Sequence, residues 1–223
     1  MPPEQLTTVF FDLDGTLADT APDLAAALNQ LLEQHGRPSI PYDQVRPTVS
    51  LGGNAILRLG FTEDEASAEF EKLRQEFLEI YDQRLHQDSR LFSGMENVLD
   101  GIENMGLIWG IITNKSTWLT EPLIKELGLS ERTACIVCGD STPYRKPHPA
   151  PMFHACELTG SRPGSSVYIG DARRDIEAGR ASGMHTVAAA YGYIEQNDDI
   201  CNWNADAIVH SAPEILTWVE QNR

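Results

Sequence analysis

Phe10-Phe11-Asp12-Leu13-Asp14-Gly15-Thr16-Leu17 is an apolar run that closes on two carboxylates two residues apart, followed at once by Gly-Thr. Consecutive apolar side chains suit a strand buried on both faces, as parallel strands are. Residues i and i+2 of an extended chain point the same way, so Asp12 and Asp14 converge at the C-terminal edge of the strand. Open parallel sheets bind their ligands at that edge. Two adjacent carboxylates repel, so one tends to hold a proton near neutral pH, and a divalent cation relieves the remaining charge. The pair suits a nucleophile working with a general acid/base. In isolation the same residues also fit a solvated turn, and the rest of the chain decides between the two.

Outward from this stretch, apolar runs alternate with helix-period segments. Strands are expected at Thr7–Leu13, Leu107–Thr113, Ala134–Cys138, Ser166–Gly170, Thr186–Ala190 and Ala207–Val209. Helices are expected at Glu96–Met105, Thr117–Leu127, Ala150–Thr159, Arg173–Ser182 and Pro213–Glu220. The alternation predicts an α/β fold with a parallel sheet. One interval breaks it. From Ala21 to Leu85 the periodicity is helical throughout: Ala21–Gln34 with Thr20 as candidate N-cap, then Glu63–Leu85 introduced by Thr62, with a glycine-bearing loop, Val49–Gly53, between them. This predicts a helical subdomain inserted after the first strand, residues 19–87, within a core of residues 1–18 and 88–223. Extra helices laid on one face of the sheet are the alternative.

The formal charge is −16, from 33 acidic and 17 basic residues. Such a surface repels nucleic-acid backbones, so phosphate chemistry must rest on a bound cation and a few well-placed basic groups. Only four lysines are present: Lys72, Lys115, Lys125 and Lys146. No apolar run is long enough for a membrane span, and Met-Pro-Pro-Glu-Gln has no leader-like character, so the expectation is a cytoplasmic protein with no membrane partner. Cys135-Ile-Val-Cys138 has metal-half-site spacing, but no second pair completes a site, and buried reduced thiols are expected.

Three more strand ends carry polar groups. Ile111-Ile112-Thr113-Asn114 offers a hydroxyl and an amide to a phosphate oxygen; the same pair would also serve as an ordinary helix cap. Tyr144-Arg145-Lys146-Pro147-His148-Pro149 holds a cation in a proline-stiffened loop, where Lys146 can balance phosphate and carboxylate charge. Val167-Tyr168-Ile169-Gly170-Asp171-Ala172-Arg173-Arg174-Asp175 again delivers carboxylates to a strand end. Asp171 beside Asp12 offers the oxygen donors that Mg2+ favours, with Asp175 behind them. Four such ends in one chain are not independent accidents.

Asp12-Leu-Asp14-Gly-Thr, Thr113-Asn114, Lys146-Pro and Gly170-Asp171-x-x-x-Asp175, in this order, resemble the four motifs of the haloacid dehalogenase-like hydrolase superfamily, over the core from Val9 to about Val187. The resemblance implies a Rossmann-like core with an inserted helical cap. It further implies that Asp12 forms an aspartyl phosphate and that Asp14 protonates the leaving alkoxide. Mg2+ would then sit among Asp12, the backbone carbonyl of Asp14 and Asp171, with Asp175 orienting its shell. Thr113, Asn114 and Lys146 would hold the phosphoryl oxygens. Leu91-Phe-Ser-Gly94-Met and Arg145-Lys-Pro-His-Pro149 resemble the group formed by the phosphoglycolate phosphatases and the related N-acetylmuramic acid 6-phosphate phosphatases. Tyr191-Gly-Tyr-Ile194 and Asn202-Trp-Asn-Ala-Asp206 resemble the N-acetylmuramic acid 6-phosphate phosphatases. The expected substrate is a small phosphorylated acid, with the muramic acid ester ahead of 2-phosphoglycolate. Arg46, Arg58 and the loop residues Ser50, Gly52 and Gly53 are the candidates for contacting its non-phosphate end. A phosphomutase of the β-phosphoglucomutase type shares the core motifs and stays open, as does a non-catalytic, phospho-regulated binding protein.

Overall fold

The computed structural model describes residues 5–195 and 197–223; the stretch read above for a leader lies, but for Gln5, outside the described residues. Strand β1 (Thr8–Phe11) runs at the centre of a sheet whose other strands are β4 (Ile108–Ile112), β5 (Ile136–Val137), β6 (Ser166–Gly170), β7 (His185–Ala189) and β8 (Ala207–Val209). The order is β5-β4-β1-β6-β7-β8 and every pair is parallel. The fold is α/β, as the alternation predicts. Between β1 and β4 the chain forms β2 (Ala18–Asp19), α1 (Ala21–Gln34), α2 (Tyr42–Val45), a 3-10 turn at Arg46–Leu51, α3 (Gly53–Arg58), α4 (Ala68–Arg84), β3 (Arg90–Leu91) and α5 (Met95–Asn104). Helices α6 (Thr117–Glu126), α7 (Ala150–Thr159), α8 (Arg173–Ser182) and α9 (Ala212–Asn222) complete the chain.

Alternation along β1 divides the core. Val9 and Phe11 face α5, α6 and α9, where they pack with Val98, Leu99, Leu123 and Ile215. Phe10 faces the other side, against Tyr168, Met152 and Ala155. A third cluster lies among the inserted helices: Leu24, Leu28 and Leu31 of α1 meet Phe70, Leu73, Phe77 and Tyr81 of α4. Leu119 and Tyr193 from the sheet-bearing part join this cluster, so the helices are packed onto the crevice rather than suspended above it. The antiparallel pair of β2 and β3 closes the two connections into and out of the helical segment.

Several sequence expectations need correction. Helix α4 begins at Ala68, not Glu63, because Ser67 is the cap: its Oγ accepts from the Phe70 amide at 3.1 Å. Asp64 instead turns the preceding chain by accepting from the Ala66 amide at 3.0 Å. Thr20 occupies the N-cap position of α1 but makes no cap bond, since its hydroxyl is given to Asp14 at 2.6 Å. The loop expected around Ser50 is largely helical. Of the four cysteines three are buried free thiols, but Cys201 is exposed. No helix among the described residues is long and apolar enough to cross a membrane.

Candidate active site

The register of the three central strands assembles the site. Phe11 lies level with Ile111 of β4 and Ile169 of β6, so the chains leave the sheet side by side at Asp12, Thr113 and Asp171. The Asp12 amide is still held to the Ile169 carbonyl at 2.8 Å. Beyond it the backbone turns sharply at Gly15, which has φ +83°, and a Cβ there would stand 2.1 Å from Asp171 Oδ2. A glycine is therefore required where Asp-x-Asp-Gly-Thr meets the β6 loop. Gly170 is required for a related reason, because a Cβ on it would meet Asp175 Oδ2 at 2.6 Å.

Lys146 sits at the focus. Its buried ammonium contacts Asp12 Oδ1 and Asp175 Oδ1, each at 2.8 Å, and donates to Tyr168 Oη at 2.7 Å and the Ile112 carbonyl at 3.0 Å. Asp12 Oδ1 also accepts from the Leu13 amide at 2.8 Å, which leaves Oδ2 without a protein partner. Asp171 Oδ2 accepts from Ser50 Oγ at 2.7 Å and the Tyr193 amide at 2.8 Å. Asp175 Oδ2 accepts from the Ala172 amide at 3.0 Å; its Oδ1 pairs with Lys146 by charge but has no aligned donor.

Asp12, Asp171 and Asp175 each offer an oxygen within 4.8 Å of the others, and all three are buried. Burial pushes the Asp12 carboxyl up to about 6, with Asp175 adding to the rise and Lys146 opposing it. Burial and then the charges of Asp12 and Asp175 push Asp171 up to about 7. Three clustered carboxylates with one ammonium carry uncompensated negative charge, and the donors are all oxygen. Such a set fits a hard divalent cation rather than zinc or a thiophilic ion. The Asp14 carboxylate stands apart from this cluster.

Asp14 Oδ1 instead accepts from Thr20 Oγ1 at 2.6 Å and pairs with Lys115 Nζ at 3.0 Å. Lys115 also donates to Tyr81 Oη at 2.9 Å and lies over the Tyr81 ring. Burial works against the Lys115 charge, but Asp14 and Tyr81 outweigh it and hold the ammonium above the ordinary lysine range. Burial pushes the Tyr81 hydroxyl up to about 12. Thr113 Oγ1 accepts from the Lys115 amide at 3.1 Å. Asn114 clamps the Lys146 backbone with both ends of its amide, at 3.0 Å each. The residue expected to touch phosphate thus first positions the neighbouring cation.

A cavity of about 490 Å3 opens over these groups. Asp12, Asp14, Thr113, Asn114 and Lys115 border it from below, and Ser50, Gly52, Gly53, Phe77, Leu78 and Tyr81 from the helical segment. Ser50, Gly52 and Gly53 are therefore brought to the site. Arg46 and Arg58 are not. Arg46 donates to the carbonyls of Tyr191 and Gly192 at 3.1 and 3.0 Å and stacks on Tyr193, tying the 3-10 turn to the sheet-bearing part. Arg58 pairs with Glu65 at 3.0 Å, bonds the Glu63 carbonyl and covers the Phe70 ring. Acidic neighbours and open carbonyls near in the fold capture both guanidinium groups. Arg74, Arg145 and Arg174 border the cavity in their place. Lys72 is 78% exposed and plays no part. Lys115 went unassigned in the sequence, although one of only four lysines directly after Thr113-Asn114 was a usable signal.

A family model described as haloacid dehalogenase-like hydrolase matches residues 9–189. The chain belongs to this family. It is 41% identical to the N-acetylmuramic acid 6-phosphate phosphatase of Pseudomonas putida, over 95% of each chain. It is 42% identical to a phosphoglycolate phosphatase of Xanthomonas campestris, over 93% of each chain. The crystal structure of a predicted phosphoglycolate phosphatase from Haemophilus somnus superposes with a TM-score of 0.84 at 28% identity, covering 96% of this chain and 98% of the other. The similarity to family members spans the sheet, the motif-bearing strand ends and the inserted helices alike.

Proposed function

We propose that this phosphatase hydrolyses the phosphomonoester of a small organic acid through a phosphorylated Asp12, with Mg2+ required and with residues 19–87 acting as a cap. The observation that carries the mechanism is the state of Asp12: Lys146 and the Leu13 amide hold Oδ1, while Oδ2 borders the cavity unpartnered. Asp12 and Asp171 would hold the ion, which supplies charge neutralisation for the phosphoryl oxygens. Asp12 Oδ2 attacks phosphorus, and the ester P–O bond breaks as Asp14 passes a proton to the leaving oxygen. Asp14 then takes a proton from water as that water attacks the aspartyl phosphate, returning the Asp12 carboxylate and releasing phosphate. Lys146 offsets the charge at the nucleophile throughout, and Thr113 and Asn114 border the phosphoryl position. Thr20 and Lys115 fix the direction in which Asp14 faces.

The substrate proposed is N-acetylmuramic acid 6-phosphate ahead of 2-phosphoglycolate. Relatives of both names are equally similar, and the cavity volume favours the larger ester. Val49, Ile56, Phe77 and Leu78 give it an apolar wall. Arg145, which spends only its Nε on the Gly139 carbonyl at 2.7 Å, is a cation available to a carboxylate, whereas Arg74 is paired with Glu71 and Lys115 with Asp14. The test is phosphate release from both acids, a neutral sugar phosphate and a nucleotide, with Mg2+ titrated and a sugar bisphosphate added in a parallel series. The expected result is metal-dependent release with the acids preferred. Full activity after exhaustive chelation overturns the metal assignment, and equal kcat/KM for the neutral sugar phosphate overturns the acid preference. Turnover only with bisphosphate, without net phosphate release, makes the protein a phosphomutase.

A further inference from the structure

Arg174 has no part in the mechanism above, yet it borders the catalytic cavity beside Asp12, Thr113 and Asn114. It also borders an adjoining cavity of about 300 Å3 that reaches Ser50, Asp171, Tyr193 and Trp203. The half-buried side chain thus stands where the two spaces meet. Among the described residues Arg174 makes no ion pair or hydrogen bond, and its Nε is buried with no acceptor. Its neighbour Arg173, by contrast, pairs with Asp198 at 2.8 Å. A guanidinium presents five N–H donors and accepts nothing, so one that bonds no protein acceptor keeps its donors for an anion that enters the cavity. The carboxylates acting on it are Asp175, Asp12 and Asp171. That places it at the nucleophile end of the cavity rather than at the Asp14 end.

Charge balance explains why a cation is needed there. Asp12, Asp171 and Asp175 bring three negative charges and Lys146 one positive charge. A divalent cation cancels the remainder, which leaves a loaded site with no net attraction for a phosphate dianion, inside a chain of formal charge −16. Arg174 restores a positive balance, and its planar fork matches two oxygens of a tetrahedral anion.

We propose that Arg174 is a further substrate-binding residue whose guanidinium takes non-bridging oxygens of the transferring phosphoryl group. The proposal rests on the phosphomonoesterase reading of the same site. The test measures binding of inorganic phosphate to the Mg2+-loaded protein by calorimetry for wild type, Arg174→Gln and Arg174→Lys, with Mg2+ affinity and thermal midpoint recorded for each. Steady-state kinetics on a phosphorylated acid and an aryl phosphate accompany it. The expected result is a phosphate Kd raised about tenfold or more in Arg174→Gln, partly recovered in Arg174→Lys. Mg2+ affinity is expected to be unchanged or tighter, and kcat/KM to fall by similar factors on both substrates. An unchanged phosphate Kd overturns the proposal. A kinetic loss confined to the phosphorylated acid also overturns it, since Arg174 would then read the carboxylate. Weakened Mg2+ binding with a lowered thermal midpoint in both variants overturns it in favour of a structural role. If the wild-type protein itself neither binds phosphate nor releases it from any ester, the reading of the site fails rather than the assignment of Arg174.

Discussion

Replacing Asp171 by Asn should stabilise the metal-free protein while disabling it. In the fold, Asp171 is buried with Asp12 and Asp175 close by, and its carboxyl is pushed up from 3.8 to about 7. A carboxylate raised on folding costs nothing below the unfolded value, where it is neutral in both states. The cost grows as pH climbs and is complete above the folded value. At about 1.4 kcal/mol per pKa unit, the raised carboxyl costs the folded state about 4 kcal/mol at pH 8, where it is held ionised, and about 2 kcal/mol at pH 5, where it must take up a proton on folding. Asparagine with its oxygen in the Oδ2 position keeps both the Ser50 and the Tyr193 donors, and its NH2 takes the Oδ1 position beside Thr16 Oγ1, a hydroxyl that can accept in turn. In excess chelator, urea unfolding should therefore show Asp171→Asn more stable than wild type by ~2–4 kcal/mol at pH 8, with the gap roughly halved at pH 5. Saturating Mg2+ should then stabilise wild type, by about 2.7 kcal/mol at a hundredfold excess over Kd, and leave the variant unmoved. A variant less stable than wild type at both pH values, or a gap indifferent to pH, would refute the charge-repulsion account of this cluster.

Asp12→Asn should lose turnover by on the order of 10⁴-fold or more while folding normally, and rapid quench should trap a phosphoenzyme in the wild type and none in the variant. Lys115→Met should lower kcat by roughly 10²-fold, because Asp14 loses its partner at 3.0 Å; the affinity for inorganic phosphate should stay near wild type, and an unchanged kcat would remove Lys115 from the acid/base step. Ser50→Ala should weaken Mg2+ binding by roughly tenfold, since it removes the 2.7 Å bond that orients Asp171 from the helical segment, and titration of the metal by calorimetry would read this directly.

The strand ends were legible in the chain alone because their signals are short-range. An apolar run followed by Asp12 and Asp14, by Thr113 and Asn114, or by Gly170 and Asp171 states locally where a buried strand meets the surface. The parallel register then has only one edge to which it can deliver them. Helices with clear periods were equally plain, as Ala21–Gln34, Ala150–Thr159 and Arg173–Ser182 are. The start of α4 was misread because a Thr and a Ser, Thr62 and Ser67, both resemble caps, and only the Ser67 hydroxyl meets an open amide. The direction of the long cationic side chains was beyond the sequence. Arg46 and Arg58 lie in the right segment, but carbonyls of residues 191 and 192 and the carboxylate of Glu65 claim them. Lys115 comes to Asp14 only because α4 brings Tyr81 over it, and Ser50 reaches Asp171 only because the 3-10 turn packs on the crevice. Local composition fixes which backbone segments carry chemistry. The aim of a flexible arginine or lysine depends on which acceptors, distant in the chain, the packed helices set within its reach.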